Sequence, residues 1–141
     1  MIYVLDSSVA FKWAVPEADS DKALLLRDRY LTGIHDLIAP DFFPFELAHA
    51  LTRAERQKRI NTGQALTCWT DVMVDSPRLL PALSITQRAI SIASTARIGV
   101  YDCIYVALAE RENCELITAD EKLVANLQSQ FPFIILLSSL P

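Results

Sequence analysis

Asp6, Glu46, Asp102 and Asp120 are the residues of this chain best placed to do chemistry. Each interrupts an apolar stretch where a strand should end or a helix begin. Asp6 follows Ile2-Tyr3-Val4-Leu5, and Asp120 follows Glu115-Leu116-Ile117-Thr118. Ligands of open parallel α/β sheets bind beyond the carboxyl ends of the strands, so acids at two such ends can meet at one edge. Glu46 and Asp102 fall near the starts of two helices, which is the same edge if those helices follow strands. Two carboxylates about 4 Å apart repel by roughly 4 kcal/mol at an effective dielectric of about 20. Four together call for a cation. Carboxylate and water oxygens suit a hard ion such as Mg²⁺ or Mn²⁺, and a set of four carboxylates with no histidine or cysteine among them disfavours zinc. Such an ion lowers the pKa of water and steadies charge on phosphoryl oxygens, which points to phosphodiester hydrolysis.

Each acid also has an ordinary structural role open to it. Asp6, Asp102 and Asp120 could cap the helices that follow them. Glu46 could simply favour the positive end of a helix. Asp102 is the sharpest case, being the sole charge between Ile98 and Ala109. A carboxylate in such a setting costs several kcal/mol unless it is paired or bound to metal.

The elements that must position these acids can be read from periodicity and turn residues. Strands are expected at about 2–6, 37–39, 79–83, 115–118 and 133–137. Pro81 implies that the third is an edge strand or ends early. Helices are expected at about 8–13 (capped by Ser7 or Ser8), 19–32, from Asp41 as a cap, 62–75, 86–97, 101–110 and 121–129. Phe43, Leu47, Leu51 and Ala54 should face the core in one helix; Leu66, Trp69 and Met73 should share a side of the next. The helix 101–110 is apolar nearly all round and should be buried. Gly33, Gly63 and Gly99 fall at helix boundaries. The alternation implies a three-layer α/β/α fold with a mostly parallel five-stranded sheet, formed as a single domain over 1–141.

Bulk composition narrows the possibilities. The chain has 141 residues, 52% of them apolar and 21% charged, which excludes disorder. Mean hydropathy of +0.25 is high for a short chain and suggests either apolar surface kept for a partner or a second copy, or a larger-than-usual core. A net charge of −4 argues against holding nucleic acid by bulk charge, though not against a nuclease with bound ions. Cys68, Cys103 and Cys114 form neither a zinc pattern nor a disulfide frame. No leader-like segment and no long apolar run is seen, so a cytoplasmic protein without a membrane span is expected.

The chain resembles the PIN-domain family, and within it the VapC-type ribonuclease toxins of toxin–antitoxin pairs. The matching stretches, in family order, are Val4-Leu5-Asp6-Ser7-Ser8-Val9, Phe45-Glu46-Leu47-Ala48-His49-Ala50-Leu51, Tyr101 to Ala109, and Leu116-Ile117-Thr118-Ala119-Asp120. The resemblance places the family's acid quartet on Asp6, Glu46, Asp102 and Asp120, as metal ligands and catalytic groups. Ser7 and Thr118 match supporting positions. Cys103 departs from the small residue more usual there. The implied activity is Mg²⁺- or Mn²⁺-dependent cleavage of single-stranded RNA, with tRNA or another structured RNA as a possible target. The implied partners are a small VapB-like antitoxin and a second copy in a homodimer.

Beyond the quartet, helical spacing from Glu46 leads to His49, Arg53 and Arg56 on one face. Arg53 and Arg56 are expected to hold RNA phosphates, against the alternative of a solvated helix face. Lys12 could border the site, Trp13 should pack in the core, and His35 should be a polar loop residue. Rival functions are a PIN nuclease of RNA maturation without an antitoxin, a receiver-like phospho-accepting module, and a non-catalytic scaffold.

Overall fold

In the computed structural model, which describes residues 1–141, the elements follow one another as strand and helix. Strands β1 (Ile2–Leu5), β2 (Asp36–Pro40), β3 (Arg78–Leu80), β4 (Glu115–Thr118) and β5 (Ile134–Leu136) form one sheet in the order β3-β2-β1-β4-β5. Every pairing is parallel, as the alternation of elements predicts. The chain runs outward from β1 through β2 to β3, then returns to place β4 on the other side of β1. The order therefore reverses between β1 and β4, where a crevice opens at the carboxyl edge.

Seven α-helices cover the sheet: α1 (Ser7–Ala14), α2 (Ser20–Leu31), α3 (Phe43–Arg56), α4 (Gln64–Val74), α5 (Thr86–Ala96), α6 (Val100–Glu112) and α7 (Glu121–Leu127). Alternate strand residues divide the core into two clusters. Val4, Ile38, Leu116 and Ile134 pack with α5, α6 and α7. Leu5, Leu37, Ala39 and Ile117 pack with α1, α3 and α4 on the opposite face. Period-2 strand geometry with both faces covered produces such continuous apolar strands. Phe43, Leu47, Leu51 and Ala54 are buried along α3, and Cys103 through Ala109 are all buried in α6, as their patterns require.

Several local expectations are corrected. β3 stops at Leu80, because Pro81 cannot donate to a ladder, and β3 is an edge strand. Asp41 does not cap α3; Phe42 holds the cap position and Pro44 sits in the first turn, where no amide is needed. Neither Ser7 nor Ser8 caps α1, since Asp6 takes that role. Leu66 is exposed, and α4 turns Ala65 and Val72 inward instead. His35 precedes β2 in a loop but is buried, its Nε2 3.0 Å from the Leu26 carbonyl and its ring edge-on to Tyr3. Gly33 and Gly63 both adopt positive φ, at the end of α2 and the start of α4.

Candidate active site

β1 and β4 deliver two of the acids. The Asp6 amide donates to the Ile117 carbonyl at 3.1 Å, so the ladder runs one residue past β1 and fixes Asp6 beside the end of β4. Asp6 is only 5% exposed. Its Oδ2 accepts hydrogen bonds from Thr118 Oγ1 at 2.6 Å and Ser8 Oγ at 3.0 Å. The same two hydroxyls accept from the next loop, Thr118 from the Asp120 amide and Ser8 from the Ala119 amide. Asp6 is thus stitched to the turn that carries Asp120. Burial still drives the Asp6 carboxyl up to about 7, with the charges of Glu46 and Asp102 adding to the rise and the hydroxyls opposing it.

Asp120 is a true helix cap. Its Oδ1 accepts from the amides of Lys122 and Leu123, at 2.9 and 3.2 Å, and starts α7. Asp102 is not a cap. Gly99 occupies the cap position of α6 without a side-chain bond, and Asp102 stands in the first turn with no protein donor on its carboxylate. Burial pushes its pKa up to about 6, with Asp120 and Glu46 contributing. The capping role open to Asp102 in the sequence is therefore removed.

Glu46 is held from two sides. Its Oε1 accepts from Ser7 Oγ at 2.6 Å and from the Tyr105 hydroxyl at 2.8 Å. The Ser7 amide donates to that same tyrosine oxygen at 3.3 Å, closing a clamp between α1, α3 and α6. Tyr105 is fully buried, and burial followed by the charges of Asp6 and Glu46 raises its pKa well above the usual phenol value. It stays protonated and remains a donor.

The expected supports divide in an unforeseen way: Thr118 serves Asp6, whereas Ser7 serves Glu46. Sequence reasoning did not single out Tyr105 and treated Ser8 only as a cap. A signal for Tyr105 was present, because it is the one hydroxyl-bearing residue within the buried run Cys103 to Ala109 and lies three residues after Asp102.

No ion pair of the molecule involves any of the four acids. Two of the nearby cations are otherwise engaged. Lys12 Nζ pairs with Glu17 at 2.9 Å, and Arg59 pairs with the other oxygen of Glu17 while lying over the Phe11 ring. A cavity of about 520 Å³ opens at this edge, lined by Ser7, Ser8, Glu46 and Asp120 and continuing past Lys12, His49 and Arg53. Arg53 lines it and Arg56 does not, so the structure separates the two arginines that helical spacing grouped. Trp13 is core, its indole N–H donating to the Ala23 carbonyl at 2.9 Å.

A central strand ending in a buried acid, two helix-borne acids and a hydroxyl-bearing turn before a fourth acid make up this edge. A family model for the PIN domain matches residues 3–126. The chain belongs to the PIN-domain family. Curated relatives include VapC ribonuclease Mb0985 of Mycobacterium bovis and Ribonuclease VapC9 of Mycobacterium tuberculosis. Each is 32% identical over 127 residues, covering 86% of this chain and 96% of the relative. Two solved structures share the fold. PAE2754 from Pyrobaculum aerophilum superposes with a TM-score of 0.67 at 21% identity, over 99% of this chain and 94% of that one. A chain of VapBC2 from Rickettsia felis, solved bound to a DNA fragment from their promoter, gives 0.63 at 16% identity, over 96% and 97%.

The donor chemistry of this PIN-domain edge fits a hard divalent ion. Its oxygens are carboxylates, two of them carry raised pKa values, and no protein cation neutralises them. The side chains do not form a closed cage, for no three His, Cys, Asp or Glu groups stand close enough to wrap an ion directly. Glu46 is drawn toward Ser7 and Tyr105, and one Asp120 oxygen is spent on its cap. An ion that keeps several of its waters, as Mg²⁺ does, suits such a set.

Proposed function

We propose that this PIN domain is a metal-dependent endoribonuclease of single-stranded RNA, acting as the toxin of a toxin–antitoxin pair. The observation that carries the reading is Asp102, a half-buried carboxylate with no cap role, no hydrogen-bond donor and no counter-ion, among three further acids. The names of the VapC ribonucleases support it. Asp6, Glu46, Asp102 and Asp120 would hold Mg²⁺ or Mn²⁺, directly or through water. When bound, the ion supplies Lewis-acid activation of water and neutralises charge on the scissile phosphate.

The chain's own residues do the rest. Thr118 and Ser8 orient the Asp6 carboxylate. Ser7 and Tyr105 both donate to Glu46 Oε1, which holds that oxygen in place and leaves the second without a protein donor. Groups held in this way would need little reorganisation around a bound phosphodiester. Arg53, on the cavity wall, would hold a phosphate of the RNA. Arg56, off that wall, would contribute only to the general field.

The VapBC2 pairing favours a small antitoxin as the natural inhibitor. A basic group such as an arginine would satisfy the same unpaired acids and so exclude the metal. A homodimer is proposed from exposed apolar residues such as Leu83, 87% exposed, and Val74, 78% exposed. Light scattering of the purified chain tests it, a monomeric mass being the adverse result. No helix is long and apolar enough to cross a membrane, and the reading implies a cytoplasmic site of action.

The deciding experiment is cleavage of mixed single-stranded RNA by antitoxin-free protein in Mg²⁺, Mn²⁺ or EDTA, beside Asp6→Asn. Metal-dependent cleavage that the variant loses is the expected result. Metal-independent cleavage, or a variant as active as the parent, would overturn the reading.

A further inference from the structure

Two cavities meet at Glu46 and His49, and they differ in character. The larger is lined by Arg53, which has no ion-pair partner, and by Lys12 and Arg59, which are both paired with Glu17. The other, of about 320 Å³, is lined by Phe42, Phe45, Tyr101, Glu46 and His49 and has no lysine or arginine. Phe45 is 75% exposed and Tyr101 59% exposed. Large aromatic rings left open to water beside a polar site are the usual mark of a binding surface.

Their positions are regular. Phe45 immediately precedes Glu46 on α3, and Tyr101 immediately precedes Asp102 on α6. A step of one residue turns a side chain by about 100° around a helix, so each ring lies on the rim beside its acid. Phe42 braces this wall. Its ring packs edge-to-face on Tyr101, with centroids 5.0 Å apart at 72°, and on Tyr105 at 5.5 Å and 85°. Tyr105 in turn donates to Glu46. The aromatic wall and the acid site are thus one connected unit.

We propose that Phe45 and Tyr101 form a stacking platform for one unpaired nucleobase of the RNA, across the acid site from the arginine-lined cavity. The inference rests on the nuclease reading. Charge assigns the two sides. A phosphate beside Glu46 on the aromatic side would meet a carboxylate with no lysine or arginine to offset it. A neutral base meets π-faces there, and base–aromatic stacking tolerates any sequence. The RNA therefore crosses the acids with phosphate held at Arg53 on one side and a base splayed onto aromatic rings on the other. Single-stranded RNA is suited to this, because its bases can be turned out of a stack, whereas those of a duplex cannot without unpairing.

The test is binding of a labelled, short, random-sequence single-stranded RNA pool in Mg²⁺, in an Asp6→Asn background that prevents cleavage. Phe45→Ala and Tyr101→Ala should each weaken Kd by about tenfold. Phe45→Trp should stay within about twofold of the parent. The slope of log Kd against log salt should not change in any of these, because no phosphate contact is lost. Unchanged Kd in both alanine variants, while the parent protein cleaves RNA, would overturn the platform and leave the nuclease standing. So would a shift from dimer to monomer in light scattering with Kd per protomer unaltered, which would make this face a contact between copies. Failure of the parent to cleave RNA in either metal would remove the nuclease reading and the platform together.

Discussion

Asp120 and Asp102 are the same residue type at the start of neighbouring helices, yet their surroundings have little in common. Asp120 gives one oxygen to two amides of α7 and so accounts for itself structurally. Asp102 sits in the first turn of α6, bonds to nothing in the protein, and has its pKa pushed up to about 6 by burial and by Asp120 and Glu46. A capping acid contributes to folding whether or not it also serves a ligand. An acid with no partner opposes folding until a ligand arrives. The case for a ligand is therefore clearer at Asp102 than at Asp120, although the two stand close enough for their charges to interact.

The largest effect should separate the two acids in catalysis. Asp102→Asn is expected to lower kcat/KM for RNA cleavage by about 10²–10³-fold or more. Asp120→Asn keeps an oxygen for the cap and should lose less, which initial rates in Mg²⁺ would reveal. Equal losses would blur the distinction.

Stability should separate them with opposite signs. Without metal, Asp102→Asn should raise Tm by about 5 °C, since it removes an unfavourable charge of about 2 kcal/mol after allowing for solvent screening. It should also shrink the rise in Tm that Mg²⁺ causes in the parent. Asp120→Ala should instead lower metal-free stability by about 1 kcal/mol, through loss of the cap. Thermal melts with and without Mg²⁺ measure both, and a drop in Tm for Asp102→Asn would return that residue to a structural role.

Titration sharpens the same contrast. The folded pKa values of Asp6, about 7, and Asp102, about 6, lie above the usual carboxylate value of 3.8. The stability they contribute is full below pH ~4 and is lost as pH rises through 6 to 7. The Tm advantage of Asp102→Asn over the parent should thus be near zero at about pH 4 and greatest above about pH 7. Mg²⁺ competes with these protons, so its stabilisation should grow over the same interval. A constant difference across pH would contradict the raised values.

The smallest effect concerns the arginines. Arg53→Ala should flatten the salt slope of RNA binding by roughly 0.7 if one phosphate contact is lost, whereas Arg56→Ala should leave it unchanged. Identical slopes for the two would show a diffuse basic face rather than a seated phosphate.

Much of this architecture was legible in the chain. Alternating apolar strands and helices of ordinary length required a parallel sheet covered on both faces. The buried character of Cys103 to Ala109 followed from a helix without a polar side. Capping was harder to assign, because Asp6 competes with Ser7 and Ser8 for the start of α1, and Asp41 with Phe42 for α3. Local sequence offers several acceptors at such points, and tertiary contacts choose among them. Leu66 was misplaced for a related reason: the face of α4 turned inward depends on how α4 meets α1 and α3, and its apolar residues occur on more than one side.

The sequence by itself determined the four acids and the elements that carry them, because strand ends and helix starts are local features with local signatures. It also supplied the two aromatic residues that precede Glu46 and Asp102. Only the tertiary structure decided which acids are satisfied, that Ser7 and Tyr105 clamp Glu46, that Arg53 lines the cavity without Arg56, and that Phe45 and Tyr101 border one hollow. Those outcomes depend on side chains brought together from β1, α3, α6 and the β4–α7 turn. Contacts between distant segments are fixed by packing geometry, which no short window of residues encodes.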